Sequence, residues 1–261
     1  MSVMRLYQQN RVFFNSALAA TPSEDALFPA SNVKLRSRYR FWRTAASPPN
    51  PVDIDFNCNS SLTNIDAVGL ANIRAYRGTA GITSVEVFYG TGGTYPPTWV
   101  QTLAPQAIAA TDNDVMFDIT PPNCRFIRFR LANAGQFSCK PWIVIAADVI
   151  ALQEGFELRE TVRRIRAPES RTLLGGVVFN DLGVGKAQTL TEWRFRDTAS
   201  TTQKAAALFA QDGSNRPPPM FRDIYGRHIQ ATVLEPVARW RVSGVEIFTR
   251  MEMDYALLQL P

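Results

Sequence analysis

Strand-like segments recur through the first 150 residues of the chain. Most hold apolar residues at or near every second position, the period at which β-strand side chains return to one face. The segments are Val52–Phe56, Ser84–Tyr89, Val115–Ile119, Arg125–Leu131 and the nearly continuous apolar run Trp142–Ile150. Proline- and glycine-rich turns separate them, and strands with this spacing and punctuation predict a β-sandwich.

The most unusual local feature is the basic segment Lys34–Arg43. Its cations alternate with mostly apolar residues, so a strand there would place four positive charges on one face. Arginine and aromatic residues are enriched at the centres of protein interfaces, which favours a protein neighbour. The alternative is the solvated face of an edge strand, where basic residues prevent pairing with other chains. The candidate interface residues are Lys34, Arg36, Arg38, Arg40, Trp42 and Arg43.

The pattern of residue types along the sequence changes beyond Leu152. Phe156–Arg166 fits a helix or a strand, and its β-branched residues favour extended structure. The alanine-rich segment Thr201–Gln211 predicts a helix. Further strands are predicted at Val177–Phe179, Leu190–Phe195, Ile229–Leu234 and Ser243–Tyr255.

These patterns predict a mainly β protein of two domains. Residues 1–24 form a lead-in, residues 25–152 a β-sandwich, and residues 155–261 a smaller β-rich (α+β) domain with one helix near 201–211. The length of 261 residues accommodates two small domains.

Charge and hydropathy exclude some classes of partner. The 28 basic and 23 acidic residues give a net charge of +5, spread evenly along the chain. A nucleic-acid-binding domain usually concentrates its charge on one face or tail, so nucleic acid is disfavoured as a partner. No apolar run approaches the ~18 residues of a membrane span, so none is predicted.

Signatures of enzyme chemistry are missing from the sequence. There is no G-x-S-x-G elbow or H-E-x-x-H motif, and His228 is the single histidine. We therefore predict a protein that is not an enzyme and needs no cofactor or metal. One question stays open: the loop carboxylates Asp112, Asp114 and Asp118 would suit Ca²⁺, or would cap the backbone of a turn.

The order of features in residues 25–150 resembles the discoidin family, also called coagulation-factor C-type domains. Ala30–Asn32 precede the Arg- and Trp-bearing segment that ends Arg40–Arg43, and the strand Val52–Phe56 follows. Later features are the strand Val85–Tyr89, a glycine turn, Trp99 and the closing strand Ile143–Ile150. The resemblance implies a galactose-binding-like jelly roll.

The whole chain also resembles structural proteins of tailed bacteriophages, in which a discoidin-like domain precedes a β-rich one. The residues that carry this resemblance are Leu27–Asn32 and the pair Trp42–Arg43 ahead of a proline-rich loop. It implies a subunit of a phage tail, baseplate, collar or fibre-attachment region. Such a subunit is made in the host cytoplasm and acts by assembling with other virion proteins.

The alternative function is a carbohydrate-binding module that recognises glycans on a host surface. Sugars would stack on Trp42, Tyr95 or Trp99, which are aromatic residues near predicted loops. The two functions are compatible in a protein at the tip of a phage tail.

Overall fold

The computed structural model describes most of the first 152 residues and the strands beyond them. The described residues are 4–7, 9–15, 17–18, 23–35, 40–62, 64–75, 81–121, 123–152, 159–165, 169–172, 178–181, 186–197, 220–222, 228–241 and 244–255. The chain divides into two units: Met1–Ala151 with Arg216–Ile229, and Leu152–Asn215 with Gln230–Pro261. The predicted helix near 201–211 lies outside the described residues.

Strands dominate the part of the chain up to residue 152. They are β1 (Met4–Tyr7), β2 (Ala17–Leu18), β3 (Trp42–Arg43), β4 (Val52–Leu62), β5 (Ile65–Ala71), β6 (Ile82–Thr91), β7 (Thr98–Ala107), β8 (Val115–Asp118), β9 (Cys124–Asn133), β10 (Ser138–Ile145) and β11 (Val149–Leu152). A one-turn helix, α1, spans Val12–Asn15, and 3-10 turns span Ala30–Lys34 and Ala146–Asp148. The five predicted strand segments fall in β4, β6, β8, β9 and β10, although the second 3-10 turn interrupts the last of them.

Two antiparallel sheets face each other in this unit. One has the strand order β2-β4-β9-β6-β7, and the other has the order β3-β10-β5-β8. In β9 the side chains of Ile127, Phe129 and Leu131 are buried in the core, while Arg128 and Arg130 point outward, as the alternation predicts. The predicted mainly β fold class, with a β-sandwich, is confirmed.

A second apolar layer covers the outside of the four-stranded sheet. Tyr7, Trp142 and Met220 are fully buried there. A short strand at Met220–Arg222 pairs antiparallel with β1, and the side chains of Arg5 and Arg222 both bond to Asp118. Burial on both faces explains why the sequence of β10 is apolar almost throughout.

The remaining strands are β12 (Arg159–Ile165), β13 (Glu169–Thr172), β14 (Val178–Asp181), β15 (Lys186–Asp197), β16 (Met220–Arg222), β17 (His228–Arg241) and β18 (Gly244–Tyr255). In the second unit, the strands β17, β18, β15 and β12 lie side by side in that order. Their long antiparallel registers confirm the predicted strands, including extended structure within Phe156–Arg166.

The prediction of a basic strand from Lys34 to Arg43 is wrong at four of its six described residues. Lys34 ends a 3-10 turn, and only Trp42–Arg43 pair with β10. Arg40 lies outside any strand, and Arg36 and Arg38 lie outside the described residues. Local alternation misled the prediction because the backbone here has a different partner.

That partner is Lys140, which is fully buried in β10. Its Nζ donates hydrogen bonds to the carbonyl oxygens of Leu35 and Arg40, and it lies 4.9 Å from the centre of the Phe13 ring. Lys140 therefore fixes the position of the backbone at both Leu35 and Arg40. Burial lowers the pKa of Lys140 from its usual 10.5 to about 8.

We expect the wild-type protein to gain stability relative to Lys140→Met as the pH increases from about 8 to 9. In this window the folded protein loses the Lys140 proton while the unfolded chain keeps it, so Lys140 favours folding at higher pH by up to ~1.4 kcal/mol per pH unit. The buried thiols Cys58, Cys124 and Cys139, whose pKa values burial raises, act in the opposite direction from about pH 8 upward in both proteins, so the difference between the two isolates Lys140.

Urea unfolding of both proteins at a series of pH values measures this difference. The free energy of unfolding of the wild type minus that of Lys140→Met should rise between pH 8 and 9, whereas Lys34→Met, which removes a lysine that is not fully buried, should follow the wild type. Parallel profiles for the wild type and Lys140→Met would contradict the assignment.

Candidate ligand-binding face

The five-stranded sheet turns one face away from the core, and we call it the outer face. Registers between strands place its side chains in rows. One row is Asp55, Arg128, Phe88 and Gln101, and the next is Asn57, Phe126, Gly90 and Trp99. Polar, charged and aromatic groups therefore alternate across four strands.

Asp55 is the centre of the polar contacts on this face. Although its carboxylate is only 3% exposed, both oxygens accept hydrogen bonds from the Arg128 guanidinium at 2.7 Å. The Tyr95 hydroxyl donates a third bond to the same carboxylate at 2.6 Å. A buried carboxylate is costly unless it is paired in this way. The hydrogen bonds to Asp55 raise the pKa of Arg128.

The same pair positions two aromatic rings. The Arg128 guanidinium carbon lies 4.3 Å from the centre of the Trp99 ring, a cation–π contact. The Tyr95 ring lies 5.9 Å from the Phe126 ring and is 40% exposed. Partial burial and then the bond to Asp55 raise the pKa of Tyr95, so the phenol stays protonated and remains a donor.

Gly90 lets the β6–β7 turn fold down onto the outer face. A Cβ atom at this position would lie 2.3 Å from the Pro97 ring and 3.1 Å from Phe126. Arg125 on β9 donates a hydrogen bond to the Gly93 carbonyl at 2.9 Å and so links the turn to the sheet. The absence of a side chain at residue 90 therefore brings Tyr95 within reach of Asp55.

A second ion pair extends the face beside the first. Arg130 binds both oxygens of Asp53 at 2.9 and 3.0 Å, and its guanidinium lies 5.1 Å from the centre of the Phe88 ring. At the edge, Gln101 donates a hydrogen bond to Glu86 at 3.1 Å. Most charges on this face are thus neutralised by a neighbour.

Of the predicted sugar-stacking residues, Tyr95 and Trp99 come together on the outer face, and Trp42 does not. Trp42 is fully buried, packs edge-on against Phe137 and donates its indole N–H to the Ser23 carbonyl at 3.0 Å. The prediction that sugars stack on Trp42 is wrong, because no face of its ring reaches the surface.

The predicted interface residues have separate surroundings. Arg43 pairs with Asp25 at 2.9 Å, and its guanidinium lies 4.3 Å from the centre of the Phe28 ring. Arg40 is exposed and Lys34 is half-buried. Because Trp42 is buried, it contributes nothing to an exposed surface.

Asp55 and Arg128 are the residues that sequence reasoning missed. Arg128 lies on the predicted strand Arg125–Leu131, and no motif in the sequence marks it as part of a site. The signal was the matching period of two, since Asp53 and Asp55 alternate on one predicted strand as Arg128 and Arg130 do on another.

The loop carboxylates considered for Ca²⁺ have other partners. Asp112 accepts a hydrogen bond from the Ala109 amide, Asp114 accepts one from the Asn72 amide, and Asp118 pairs with Arg5. Within the described residues, no group of three or more His, Cys, Asp or Glu side chains could hold a metal ion. No helix in that part of the chain is long and apolar enough to cross a membrane.

No family model and no curated protein matches the chain. Among solved structures, it is similar to the family 32 carbohydrate-binding module of Clostridium perfringens NanJ in complex with galactose, at 15% identity and a TM-score of 0.42, over 54% of this chain and 98% of that one.

A second C. perfringens module, CpGH89CBM32-5 in complex with GalNAc-β-1,3-galactose, gives 12% identity and a TM-score of 0.44, over 52% of this chain and 99% of that one. Reduced XRCC1 bound to the DNA polymerase β catalytic domain gives 14% identity and a TM-score of 0.41, over 55% of this chain and 99% of that one. At this level the likeness carries no information about what this chain binds.

We expect Asp55→Asn to lower the free energy of unfolding by about 2 kcal/mol, because the Arg128 guanidinium keeps only the partly exposed Asp53, 3.2 Å away, as a counter-charge. The matched change Asp53→Asn should cost less than about 1 kcal/mol, because that ion pair is more exposed. Urea unfolding at pH 7 measures both. Equal losses in the two variants would show that burial of Asp55 has no special role.

Proposed function

We propose that this protein binds carbohydrate through Tyr95 and Trp99 on the outer face. The observation that carries the proposal is that one buried ion pair, Asp55–Arg128, fixes both aromatic side chains. Aromatic rings offer an apolar surface to the C–H groups of a sugar ring. Polar groups around them would orient its hydroxyls.

Preorganisation supports this proposal. The Tyr95 hydroxyl is held by Asp55, and Arg128 stacks against Trp99, so neither ring has to be ordered when a ligand arrives. Fixing side chains in advance reduces the entropic cost of binding. The site is a sheet face, so we expect weak affinity at a single site, with Kd on the order of 0.1–1 mM.

Charge favours a neutral ligand. Asp53 and Asp55 are each paired with an arginine, so the charges at the centre of the outer face are neutralised by their neighbours. Galactose and GalNAc-β-1,3-galactose, the ligands named for two structures of similar fold, are neutral sugars and make suitable probes.

The virion role stays a prediction from the sequence, as do the absence of catalytic activity and the location in a virion. Nothing in the described residues bears on them. A glycan-binding sandwich is compatible with them, since a protein at the tip of a phage tail would meet host-surface glycans.

We expect the wild-type protein to bind one or both of these sugars, and Tyr95→Ala and Trp99→Ala each to weaken binding about tenfold, the equivalent of ~1.4 kcal/mol of lost stacking. Titration followed by calorimetry or ligand-observed NMR measures the affinity. Tyr95→Phe keeps the ring and should lose less.

Leu27→Ala is the matched control, since Leu27 is an exposed apolar residue of the same unit that lies off the outer face. It should bind as the wild type does. Failure of the wild-type protein to bind either sugar, or binding unchanged in both alanine variants of the site, would contradict the proposal.

A further inference from the structure

Strand β7 forms one edge of the five-stranded sheet. Among the described residues its only strand partner is β6, and most of its side chains are exposed. Val100 near its start is 40% exposed, which is high for an apolar residue in a strand. An edge strand leaves a row of backbone N–H and C=O groups unpaired, which is a template for pairing with another strand.

This edge has no charged residue to prevent such pairing. From Val87 to Thr111 the sequence holds no Asp, Glu, Lys or Arg, although a fifth of the chain is charged. Proteins commonly protect an exposed edge with charges, lysine above all, or with proline. The only residue of these kinds in β7 is Pro105, in the second half of the strand.

The two halves of β7 therefore differ. The register with β6 shifts between Val85 and Val87, opposite Pro105, and again between Val87 and Phe88, opposite Thr102. From Thr98 to Gln101 the register is regular. The segment that could accept a further strand is the first half, Thr98–Thr102.

We propose that Thr98–Thr102 pairs antiparallel with the same segment of a second copy of this chain. The two-fold axis passes through Val100, so Val100 faces its own copy, Trp99 faces Gln101, and Thr98 faces Thr102. Symmetric pairing of this kind requires a self-complementary surface. The occupant follows from charge, because a two-fold pairing places the segment against its own copy, where an uncharged strand meets no repulsion.

Side-chain direction fits the same arrangement. Val100 is paired with Tyr89, which packs against the core, so Val100 lies on the core side of the sheet. Pairing two copies covers each exposed Val100 with the other. Trp99 and Gln101 point to the opposite side, and the two outer faces become one continuous surface.

This arrangement has a consequence that rests on the proposed function: two sugar sites become neighbours on one surface. Two linked weak sites hold a surface-bound glycan far more firmly than one does. A five-residue strand pair is small for an interface, so we expect a dimer that forms in the range of about 10–500 μM.

Cysteine cross-linking tests the register. In Val100→Cys, the two Cα atoms would lie about 4.5–5.5 Å apart, within the range for a disulfide. The three native cysteines are buried and should not react. Val100→Cys should form a disulfide-linked dimer under mild oxidation, and Thr98→Cys should not, because its copies lie four residues apart. A mixture of Thr98→Cys and Thr102→Cys should cross-link.

Sedimentation velocity across 5–500 μM tests the charge argument. The wild-type protein should dimerise with rising concentration, and Val100→Lys should stay monomeric. Ala110→Lys adds the same charge at an exposed residue outside the strand and should still dimerise. Circular dichroism confirms that each variant is folded. A wild-type monomer at 500 μM, or equal cross-linking of Val100→Cys and Thr98→Cys, overturns the proposal.

Different variants test the proposed sugar site and the proposed dimer, so either proposal can be contradicted without the other. Tyr95→Ala lies outside the paired segment, so it should lose sugar binding and keep the dimer. Val100→Lys should keep the affinity for free sugar and lose about tenfold or more in retention on a sugar-coated surface. Retention unchanged in Val100→Lys would contradict the dimer even if sugar binding is established.

Discussion

A carboxylate buried in the face of a β-sheet sets the arrangement of the outer face. Asp55 is nearly inaccessible to water, and its charge is tolerated because Arg128 and Tyr95 occupy both its oxygens. Arg128 then contacts the Trp99 ring, and Tyr95 contacts the Phe126 ring. One buried charge thereby fixes groups on β4, β7 and β9 and the turn before β7, and it turns a sheet surface into a site with a defined geometry.

The strands were predictable because each has a pattern of its own. Ile127, Phe129 and Leu131 alternate with Arg128 and Arg130, and that period of two is visible without knowing the neighbours of β9. The segment Lys34–Phe41 alternates equally well, yet its described residues lie outside any strand. Its carbonyl groups bond to Lys140, about a hundred residues later in the chain, and no local pattern contains that contact.

The site was predictable only in part, for the same reason. Tyr95 and Trp99 were found because aromatic residues beside glycine and proline turns are conspicuous. Trp42 looked similar but is enclosed by the core. The ion pair that organises the site joins residues 73 positions apart, and its two strands are neighbours only because of the sheet order. Residue type indicated the chemistry, and topology decided which residues take part.

The buried cysteines have a bearing on where such a protein could work. Cys58 and Cys124 are kept protonated by burial, which raises their pKa values to about 12 and 11, and Cys139 is enclosed completely. A thiol in that state neither attacks a disulfide nor meets an oxidant. Once folded, the sandwich is therefore indifferent to the redox state of its surroundings. Its thiols are exposed to oxidation only while the chain folds, so moving the folded sandwich from reducing to oxidising surroundings would not alter it.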